Sequence, residues 1–491
     1  MSKVYIIGAG PGDEDLLTLK AKKSLEKCTA VLYDRLIGGN ILKHLNKDCE
    51  IYYCGKEPGC HYKTQEEINE SLVRLSKKGH IVGRIKGGDP YVFGRGGEEV
   101  LDLIKENIEF EVIPGVTSAI GALSYAGIPV TQRGVSQSFH VITGMTSVSS
   151  KVNYEALAKL SGTLIFLMGV ENIKDISSNL IKYGKSQDTP CGIVRRGTTS
   201  KQKTVITTLK DAENKIKEEG LTSPCIIVVG EVVNFRESLN WFEKKELFGL
   251  NLCITRSREQ AKSLSSRVKD LGGEVTEIPS LEIRERESSI DPYLNNIQHY
   301  DHIILTSVNG VNVFFDYLIN KNFDIRNIKA DFSVIGNATF EALRKRGIIA
   351  KTKGEEFTQE GLLEALKGKI QENHKVFIPC AKNSRRLLEE ELKNLCRSVT
   401  VCHSYETVIP PLLNERAFDD VDVVLYTSPS TVKNMINMVG KDKLKKKLSL
   451  AIGPITEKEL EKEDLSGIMC DRYFEDGIIE KLLELRGNKQ C

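Results

Sequence analysis

The sequence predicts an α/β protein built from parallel sheets with helices on both faces. Two observations carry this prediction. Short, apolar, β-rich runs alternate with amphipathic helical stretches from one end of the chain to the other, and each run leads into a turn. The chain has 491 residues, which at about 150 residues per domain corresponds to roughly three domains. Its 40% hydrophobic and 28% charged residues are typical of a folded globular protein.

The first half of the chain contains two series of these units. The strand-like runs of the first series are residues 4–7, 30–33, 51–53 and 81–85. Pro114 and Gly115 then interrupt the pattern. The runs of the second series are residues 139–143, 163–167, 192–194 and 225–229. We therefore expect two sub-units, of about residues 1–113 and 114–240.

The clearest domain boundary lies at residues 241–249. This segment holds the only Trp, a charged run and Gly249, and a new strand-like run, residues 252–255, follows it. We expect a first domain over residues 1–240, a linker over 241–249 and a second domain over 250–491.

The second half contains an internal repeat. Residues 305–311 are echoed by 426–432, and residues 335–343 are echoed by 452–460. Each copy is expected to place Ser or Thr at a helix N-cap, where the hydroxyl and the free backbone N–H groups could bind an anion. One such turn is most simply a helix cap. Four of them in two matched lobes favour a cleft that binds a polyanion.

The glycine-rich residues 8–13 follow the first predicted strand, and Asp34 ends the second. This arrangement allows a nicotinamide-dependent oxidoreductase, but the dinucleotide fingerprint requires a glycine where Asp13 stands. The helix predicted to follow opens with the acids of residues 13–15, which would repel a pyrophosphate. No Gly-Lys-Ser/Thr follows either, so a P-loop is excluded. The loop therefore favours a ligand other than a phosphate.

Three further loops have the same glycine-rich character: residues 87–99, 114–119 and 127–134. The carboxyl ends of strands in an open α/β sheet form the crevice where ligands bind, and glycines there let a ligand approach the backbone. One such loop would indicate only a tight turn. Together with residues 8–13, the loops predict a binding crevice.

The composition argues against several other functions. The formal net charge of +2 gives no electrostatic reason to expect nucleic acid. No apolar run approaches the ~18–20 residues that a membrane span needs, and the first residues lack a signal-peptide pattern, so we expect a cytoplasmic protein without a membrane partner. The twelve cysteines are too few for a disulfide scaffold. The metal-like groups Cys49, Cys54, Cys60 with His61, and His299 with His302, lack the spacing of a zinc site, so no metal is expected.

The set of loops in the first half closely resembles the tetrapyrrole methylase family. The segments that carry the likeness are residues 4–19, 33–36, 87–99, 114–119 and 127–134. Residues 250–491 resemble the uroporphyrinogen-III synthase family through residues 254–256, the paired Thr-Ser turns and residues 404–407. The resemblance implies a two-unit tetrapyrrole methylase fold, followed by a bilobed α/β synthase fold with parallel sheets. The lobes would be about residues 250–284 with 406–491, and residues 285–405.

For the first half, the resemblance implies S-adenosylmethionine as methyl donor and double methylation of uroporphyrinogen III to precorrin-2, on the sirohaem and cobalamin routes. The implied cofactor contacts are Pro11, Gly87, Gly88, Asp89, Val92, Thr117, Ser118, Met168 and Gly197. Asp34 would accept a proton and Lys56 would donate one. The implied contacts to substrate carboxylates are Arg35, Lys86, Arg95 and Arg133. The family often has Pro in place of Glu14 and His in place of Gln132, and the second departure leaves the role of Gln132 open.

For the second half, the resemblance implies closure of linear hydroxymethylbilane with inversion of its last ring. Tyr405 would act as the acid, unless it is an ordinary buried strand tyrosine. The residues expected to hold substrate carboxylates are Thr306, Ser307, Thr427, Ser428 and Thr456. The chain would then be a bifunctional enzyme with small-molecule tetrapyrrole substrates, forming a homodimer through its first half. The alternative is a nicotinamide-dependent oxidoreductase fused to a bilobed ligand-binding module.

Overall fold

The computed structural model of the chain describes residues 2–38, 40–55, 64–145, 152–256, 258–356, 358–412 and 415–487. These residues form two compact units. The first comprises Met1–Ile278 with Leu412–Cys491, and the second comprises Pro279–Pro411. The chain thus leaves the first unit once and returns to it.

The first unit begins with a five-stranded, wholly parallel sheet. Its elements are β1 (Lys3–Gly8), α1 (Leu19–Leu25), β2 (Ala30–Tyr33), β3 (Glu50–Tyr53), α2 (Gln65–Lys77), β4 (Ile81–Lys86), α3 (Gly96–Lys105) and β5 (Phe110–Ile113). The strand order is β3-β2-β4-β1-β5. The four predicted strands are confirmed, and β5 is an additional one. In a parallel sheet the strands end at one edge, so the loops after β1, β2, β3, β4 and β5 leave from the same side.

The sequence predicts that the acidic residues after β1 open an α-helix, and this prediction is wrong. Asp13 caps a single 3-10 turn, Glu14–Leu16, by accepting a hydrogen bond from the Asp15 N–H at 3.0 Å. Helix α1 begins only at Leu19, where the Thr18 hydroxyl accepts from the Ala21 N–H at 3.1 Å. Thr18 is a good N-cap residue, which explains why the helix starts there rather than at the acids.

A second sheet follows, in a mixed arrangement. Its elements are α4 (Ser118–Tyr125), β6 (Phe139–Thr143), α5 (Tyr154–Lys159), β7 (Thr163–Leu167), α6 (Ile173–Lys182), β8 (Pro190–Arg195), β9 (Lys203–Thr208), α7 (Ala212–Glu218), β10 (Cys225–Val229) and α8 (Arg236–Leu239). The order is β6-β7-β10-β8-β9, and only β6 and β7 are parallel. The prediction of a parallel sheet is wrong here. Seven residues, 196–202, join β8 to β9, and a parallel pair needs a crossover of about a dozen or more.

The segment predicted as a linker packs against the first half. The Phe242 ring lies edge-on to Tyr125 with centroids 4.8 Å apart, and Trp241 lies 5.0 Å from the same ring. Leu247 is completely buried. After this segment the unit continues with β11 (Asn251–Ile254), α9 (Arg258–Asp270) and β12 (Glu274–Glu277).

The second unit contains one six-stranded sheet. Its elements are β13 (Glu282–Glu285), β14 (His302–Leu305), α10 (Val308–Asn320), β15 (Asp331–Val334), α11 (Asn337–Lys345), β16 (Thr352–Lys353), α12 (Gln359–Leu366), β17 (Lys375–Ala381), α13 (Leu387–Lys393) and β18 (Ser398–Val408). The order is β13-β18-β17-β14-β15-β16, parallel except for β13 against β18.

The chain then completes the third sheet of the first unit. The last elements are β19 (Val423–Tyr426), α14 (Pro429–Val439), α15 (Lys441–Leu444), β20 (Leu448–Ala451), α16 (Pro454–Lys462), β21 (Gly467–Met469) and α17 (Glu475–Gly487). The sheet, in the order β12-β11-β19-β20-β21, is wholly parallel. We call residues 250–278 with 412–491 the C-terminal lobe. The α/β class is confirmed, and no described helix has the length and apolar character needed to cross a bilayer.

Candidate active sites

The backbone segments at the ends of β1, β4 and β5 contact each other at four glycines. Gly10 and Gly88 exchange hydrogen bonds, at 3.2 Å and 2.7 Å between nitrogen and oxygen. A Cβ atom on Gly115 would lie 2.2 Å from the Gly88 carbonyl oxygen and 2.8 Å from the Gly8 Cα. Real Cβ atoms do not approach backbone this closely, so only glycine fits at this junction. The three loops therefore form one backbone-lined wall.

Helix α4 brings further predicted cofactor residues to this wall. A Cβ on Gly121 would lie 3.0 Å from the Pro11 ring, and one on Gly197 would lie 2.3 Å from the Ala122 Cβ. At the start of the helix, Ser118 N lies 3.6 Å from the position of a Cβ on Gly88. The small residues of α4 thus allow the loops after β1, β4 and β8 to close around it.

Val92 and Met168 contribute apolar surface beside the same helix. Val92 packs against the cluster that contains Ala119, Ala122 and Leu167, the last residue of β7. The next residue, Met168, leaves 42% of its surface exposed. An exposed methionine beside a polar backbone wall suits a ligand with both apolar and polar parts.

Backbone strain is concentrated in these loops. Eight described residues other than glycine have a positive φ, and three of them are Asn or Asp, which tolerate that conformation. The other five are Phe93, Arg95, Met168, Arg196 and Thr198, with φ between 47° and 71°. Phe93 and Arg95 lie in the glycine-rich loop of residues 87–99, and Met168 is itself a predicted cofactor contact. Arg196 and Thr198 flank Gly197, another predicted contact. Strained backbone of this kind clusters at functional sites. Sequence analysis did not find this signal.

Asp89 fastens two of the loops together. One of its carboxylate oxygens accepts from the Tyr91 N–H at 2.8 Å, and the other accepts from the Gly115 N–H at 3.1 Å. This carboxylate therefore holds the loop after β5 against the loop after β4, in addition to any contact with a ligand.

Asp34 stands half-buried at the end of β2, beside a buried charge cluster. Its carboxylate accepts from the Leu36 N–H at 3.0 Å and lies 3.6 Å from the Arg84 guanidinium. One oxygen of the completely buried Glu99 accepts from Arg84 at 3.1 Å and from Lys86 at 2.7 Å. Burial lowers the pKa of the Lys86 ammonium, and the neighbouring Arg84 lowers it further. Sequence analysis missed Arg84 and Glu99.

The basic residues predicted to bind substrate carboxylates differ in their surroundings. Arg35 and Arg133 are exposed. Arg95 is also exposed and forms a two-point ion pair with Glu98, at 3.0 Å and 2.6 Å. Lys86 is buried and paired with Glu99, so the structure does not support a role at the surface. Lys56 lies outside the described residues, as do Cys60 and His61.

In the second unit, the structure brings Tyr405 and Ser307 together. The Tyr405 hydroxyl, on β18, lies 2.8 Å from the Ser307 hydroxyl oxygen. Ser307 caps α10 by accepting from the Gly310 N–H at 3.0 Å. Burial raises the pKa of the Tyr405 phenol, although the hydrogen bond with Ser307 opposes the rise. The phenol therefore keeps its proton at neutral pH and can donate it.

Another group in the second unit has the chemistry of an anion site. Thr306 lines a small cavity together with basic and hydroxyl side chains. Its polar members include Ser384, Arg385, Arg386 and His403. Ser384, Arg385 and Arg386 follow the carboxyl end of β17, and His403 lies on β18. Thr306 follows the carboxyl end of β14. Sequence analysis missed them, although a Ser-Arg-Arg run directly after a strand is a readable signal.

The Ser or Thr helix caps predicted from the internal repeat are confirmed at one pair of matching turns and wrong at the other. Ser428 caps α14 in a reciprocal box with Thr431. The first of the matching turns, at Ser307, is likewise a Ser cap. At the other pair of turns the N-cap residues are Gly336 and Gly453, which have no side-chain cap. Thr456 lies inside α16 and is 3% exposed. Thr427 and Ser428 are half-buried.

Among the described residues, no group of three or more His, Cys, Asp or Glu side chains has the geometry to hold a metal ion. His302 instead contacts His374, with ring nitrogens 3.0 Å apart. Desolvation lowers the pKa of His302, and His374 adds to the effect.

Comparison with known proteins gives a family to each half. Residues 3–213 match the family described as Tetrapyrrole (Corrin/Porphyrin) Methylases, and residues 262–480 match the one described as Uroporphyrinogen-III synthase HemD. The chain is 35% identical to the porphyrin biosynthesis protein HemD of Ruminiclostridium josui, over 99% of this chain and 98% of that protein.

Two further matches concern the first half alone. The uroporphyrinogen-III C-methyltransferase of Priestia megaterium is 48% identical, over 48% of this chain and 100% of that protein. A solved structure of the uroporphyrin-III C-methyl transferase from Thermus thermophilus, complexed with S-adenyl homocysteine, is 36% identical. It covers 47% of this chain and 93% of that one, with a TM-score of 0.41.

Proposed function

We propose a two-step function for this chain, which belongs to the tetrapyrrole methylase family through residues 3–213 and to the uroporphyrinogen-III synthase family through residues 262–480. The second half closes hydroxymethylbilane to uroporphyrinogen III, with inversion of the last ring. The first half then methylates that product twice and releases precorrin-2, on the route to sirohaem and cobalamin. The matched families give no support to the nicotinamide-dependent alternative.

The observation that carries the methylation step of this proposal is the convergence of loops on helix α4. Pro11, Gly88, Ser118 and Gly197 border one wall made largely of backbone, with the half-exposed Met168 at the end of β7. The residues fit S-adenosylmethionine, which has a neutral adenosine and a positively charged sulfonium and needs no phosphate site. Bound there, it would supply an electrophilic methyl group. The chain's part is to hold the donor and the pyrrole carbon in line, which provides much of the acceleration.

Asp34 is the proposed proton acceptor. A pyrrole carbon that takes a methyl group leaves the ring system with an extra proton, and a carboxylate at the edge of the wall can remove it. Arg84, 3.6 Å from Asp34, and the Leu36 N–H hold this carboxylate in place. Lys56, which lies outside the described residues, is the proposed donor. Arg35, Arg95 and Arg133 are the proposed contacts to the carboxylates of the tetrapyrrole.

Tyr405 is the proposed acid of the cyclisation. Loss of the hydroxyl group from hydroxymethylbilane requires a proton, and the phenol is protonated and bound to Ser307. Thr306, Thr427, Ser428 and Thr456 remain proposed contacts to substrate carboxylates, with the buried Thr456 the weakest of them. Spontaneous closure gives the uninverted isomer, so the enzyme must fix one geometry of a flexible polyanion.

Replacement of Tyr405 by Phe should slow formation of uroporphyrinogen III by about tenfold or more, because the proton donor is lost while the ring stays in place. The measurement is the rate and isomer composition of porphyrin formed from hydroxymethylbilane. Tyr317→Phe is the matched control, since Tyr317 is also buried in the second unit and its hydroxyl donates to Asp291 at 2.7 Å. If both variants lose the same activity, Tyr405 has no catalytic role.

Incubation of the whole chain with hydroxymethylbilane and S-adenosylmethionine tests the complete function. We expect a type III product that carries two added methyl groups by mass. A product of type I only would contradict the synthase step and favour a ligand-binding module. In parallel, calorimetry should detect binding of S-adenosylhomocysteine and not of NAD. Binding of NAD alone would contradict the methyltransferase step.

We further propose a cytoplasmic homodimer, paired through the first half and acting on small-molecule tetrapyrroles. In this proposal residues 1–240 form the methyltransferase, with sub-units of about 1–113 and 114–240. Residues 250–491 form the synthase, whose lobes are about 250–284 with 406–491, and 285–405. Analytical ultracentrifugation of the whole chain would test the dimer.

A further inference from the structure

The C-terminal lobe contacts the methyltransferase half at three segments. These are the loop after β1, the end of β3 and the loop between β8 and β9. The two loops carry the proposed site residues Pro11 and Gly197, and the end of β3 contains Tyr53, which contacts the residue before Asp34. All three segments belong, with the C-terminal lobe, to the first compact unit. The contacts are mostly charged, so their strength depends on the exact partners rather than on buried area.

At the loop after β1, the contact is a cluster of two lysines and two glutamates. Glu14 binds Lys269 of the C-terminal lobe and Lys43, and Lys43 binds Glu277 of the lobe at 2.9 Å. Burial alone would raise the pKa of Glu14, but the two ammonium groups hold it below its usual value. Glu14 follows Pro11 by three residues. The lobe therefore fixes the position of the segment that forms one side of the proposed cofactor wall.

In the loop between β8 and β9, three residues close to Gly197 in the sequence bind carboxylates of the C-terminal lobe. Arg196 forms a two-point ion pair with Asp420, which lowers the pKa of that carboxyl group. Lys201 contacts both oxygens of Asp422 at 2.8 Å. The Ser200 N–H and hydroxyl donate to Glu274 at 2.9 Å and 2.7 Å. Arg196 and Thr198, on either side of Gly197, are two of the five residues with strained φ angles.

At the end of β3, Arg416 of the C-terminal lobe stacks on Tyr53. The guanidinium carbon lies 4.4 Å from the ring centroid, and the guanidinium also donates to the Tyr53 hydroxyl. Tyr53 in turn lies edge-on to Tyr33, with centroids 5.3 Å apart. Tyr33 immediately precedes Asp34. A residue of the lobe thus contacts, through Tyr53, the strand end that precedes the proposed proton acceptor Asp34.

We infer that the C-terminal lobe of the synthase half is a positioning element of the methyltransferase site, acting through Lys269, Asp420 and Arg416. This inference rests on the proposed function of the first half. Packing between neighbouring domains would by itself produce some contacts, but it would not select the three segments next to Pro11, Gly197 and Asp34. Strained loops need surroundings that fix their geometry, and these ion pairs supply such surroundings.

The Arg196–Asp420 pair gives a test with a built-in rescue. Asp420→Arg places two guanidinium groups side by side, so we expect the dissociation constant for S-adenosylhomocysteine, measured by calorimetry on the whole chain, to rise about tenfold. The swapped variant Arg196→Asp/Asp420→Arg should bring it back to within about threefold, because the pair is restored in reverse. Glu484→Arg is the matched control, since Glu484 pairs with Lys481 on α17 of the same lobe and should leave binding unchanged.

Arg416→Ala separates positioning from simple stabilisation. Its partner, Tyr53, contacts Tyr33, which immediately precedes Asp34, and does not belong to the proposed cofactor wall. We therefore expect kcat for methyl transfer to fall about fivefold, with the dissociation constant for S-adenosylhomocysteine within twofold of the original. Formation of uroporphyrinogen III by each variant shows that the lobe is folded.

The outcomes separate the two proposals. If the unsubstituted chain does not bind S-adenosylhomocysteine, the proposed function fails and the inference fails with it. If the unsubstituted chain binds and Asp420→Arg binds equally well, the inference alone is overturned. It is also overturned if the swapped variant stays as weak as Asp420→Arg while its synthase activity is intact.

Discussion

Replacement of Asp34 by Ala is expected to slow methyl transfer by about 100-fold or more while the chain still forms uroporphyrinogen III at its normal rate. The expected loss is that of a positioned general base. The Asp34 carboxylate lies at the end of β2, 3.6 Å from the Arg84 guanidinium. Binding of S-adenosylhomocysteine should change by less than about threefold, because the proposed cofactor wall is made of other residues. Single-turnover methylation and the porphyrin isomer assay measure the two activities separately.

Asp34→Asn is the control for structural damage. The amide keeps an oxygen that can accept from the Leu36 N–H, so the turn after β2 should be retained. The negative charge and the basic oxygen are lost, so methylation should fall nearly as far as in Asp34→Ala. Full activity in Asp34→Asn would contradict the assignment of Asp34 as proton acceptor. Equal loss of both activities in Asp34→Ala would contradict separate sites for the two reactions.

Gly115→Ala is expected to abolish cofactor binding through backbone geometry alone. The new methyl group would overlap the Gly88 carbonyl oxygen, 2.2 Å away, and the Gly8 backbone. Backbone atoms cannot rotate out of the way, so the loops after β1, β4 and β5 must separate. We expect the affinity for S-adenosylhomocysteine to fall more than tenfold and the first half to lose about 2–3 kcal/mol of stability, as for other overpacked sites.

Gly97→Ala provides the comparison for this substitution. Gly97 lies in the first turn of α3, and an added Cβ would meet no atom within 4 Å. Alanine is the better helix residue, so stability should be equal or slightly higher. Calorimetry and thermal unfolding of both variants give the two measurements. Normal binding by Gly115→Ala would show that the contact among the three loops is not needed for the cofactor.

Much of the fold can be predicted from hydrophobic patterning, because apolar runs such as residues 163–167 have few alternatives to a buried strand. The direction of strands in the second sheet cannot be read in this way. Sequence analysis predicted β8 but missed β9, and the seven-residue connection between them is too short for a parallel pair. The acids of residues 13–15 were misleading for a related reason, since a later and better cap, Thr18, decides where α1 begins.

The glycine-rich loops could be located from the sequence because glycine has few structural uses at the end of a strand. Side-chain pairing between distant residues could not. Glu99 is 15 positions from Arg84, and Asp420 is 224 positions from Arg196, so neither pair leaves a local pattern. The same applies to the φ angles of Met168 and Thr198, which depend on the loops packed around them. Lys86 was predicted to contact substrate carboxylates, and its pairing with the buried Glu99, 13 positions away, leaves no local pattern either.

The packing of Trp241 has a practical consequence. It is the only tryptophan in the chain, its indole N–H donates to the Ser124 carbonyl at 3.1 Å, and its ring contacts Tyr125 at the end of α4. An indole with a single, defined environment acts as an intrinsic fluorophore whose emission wavelength and quenching report on that junction. The packing of residues 241–249 against the first half can therefore be followed optically in the unlabelled protein, during substrate addition or gentle denaturation.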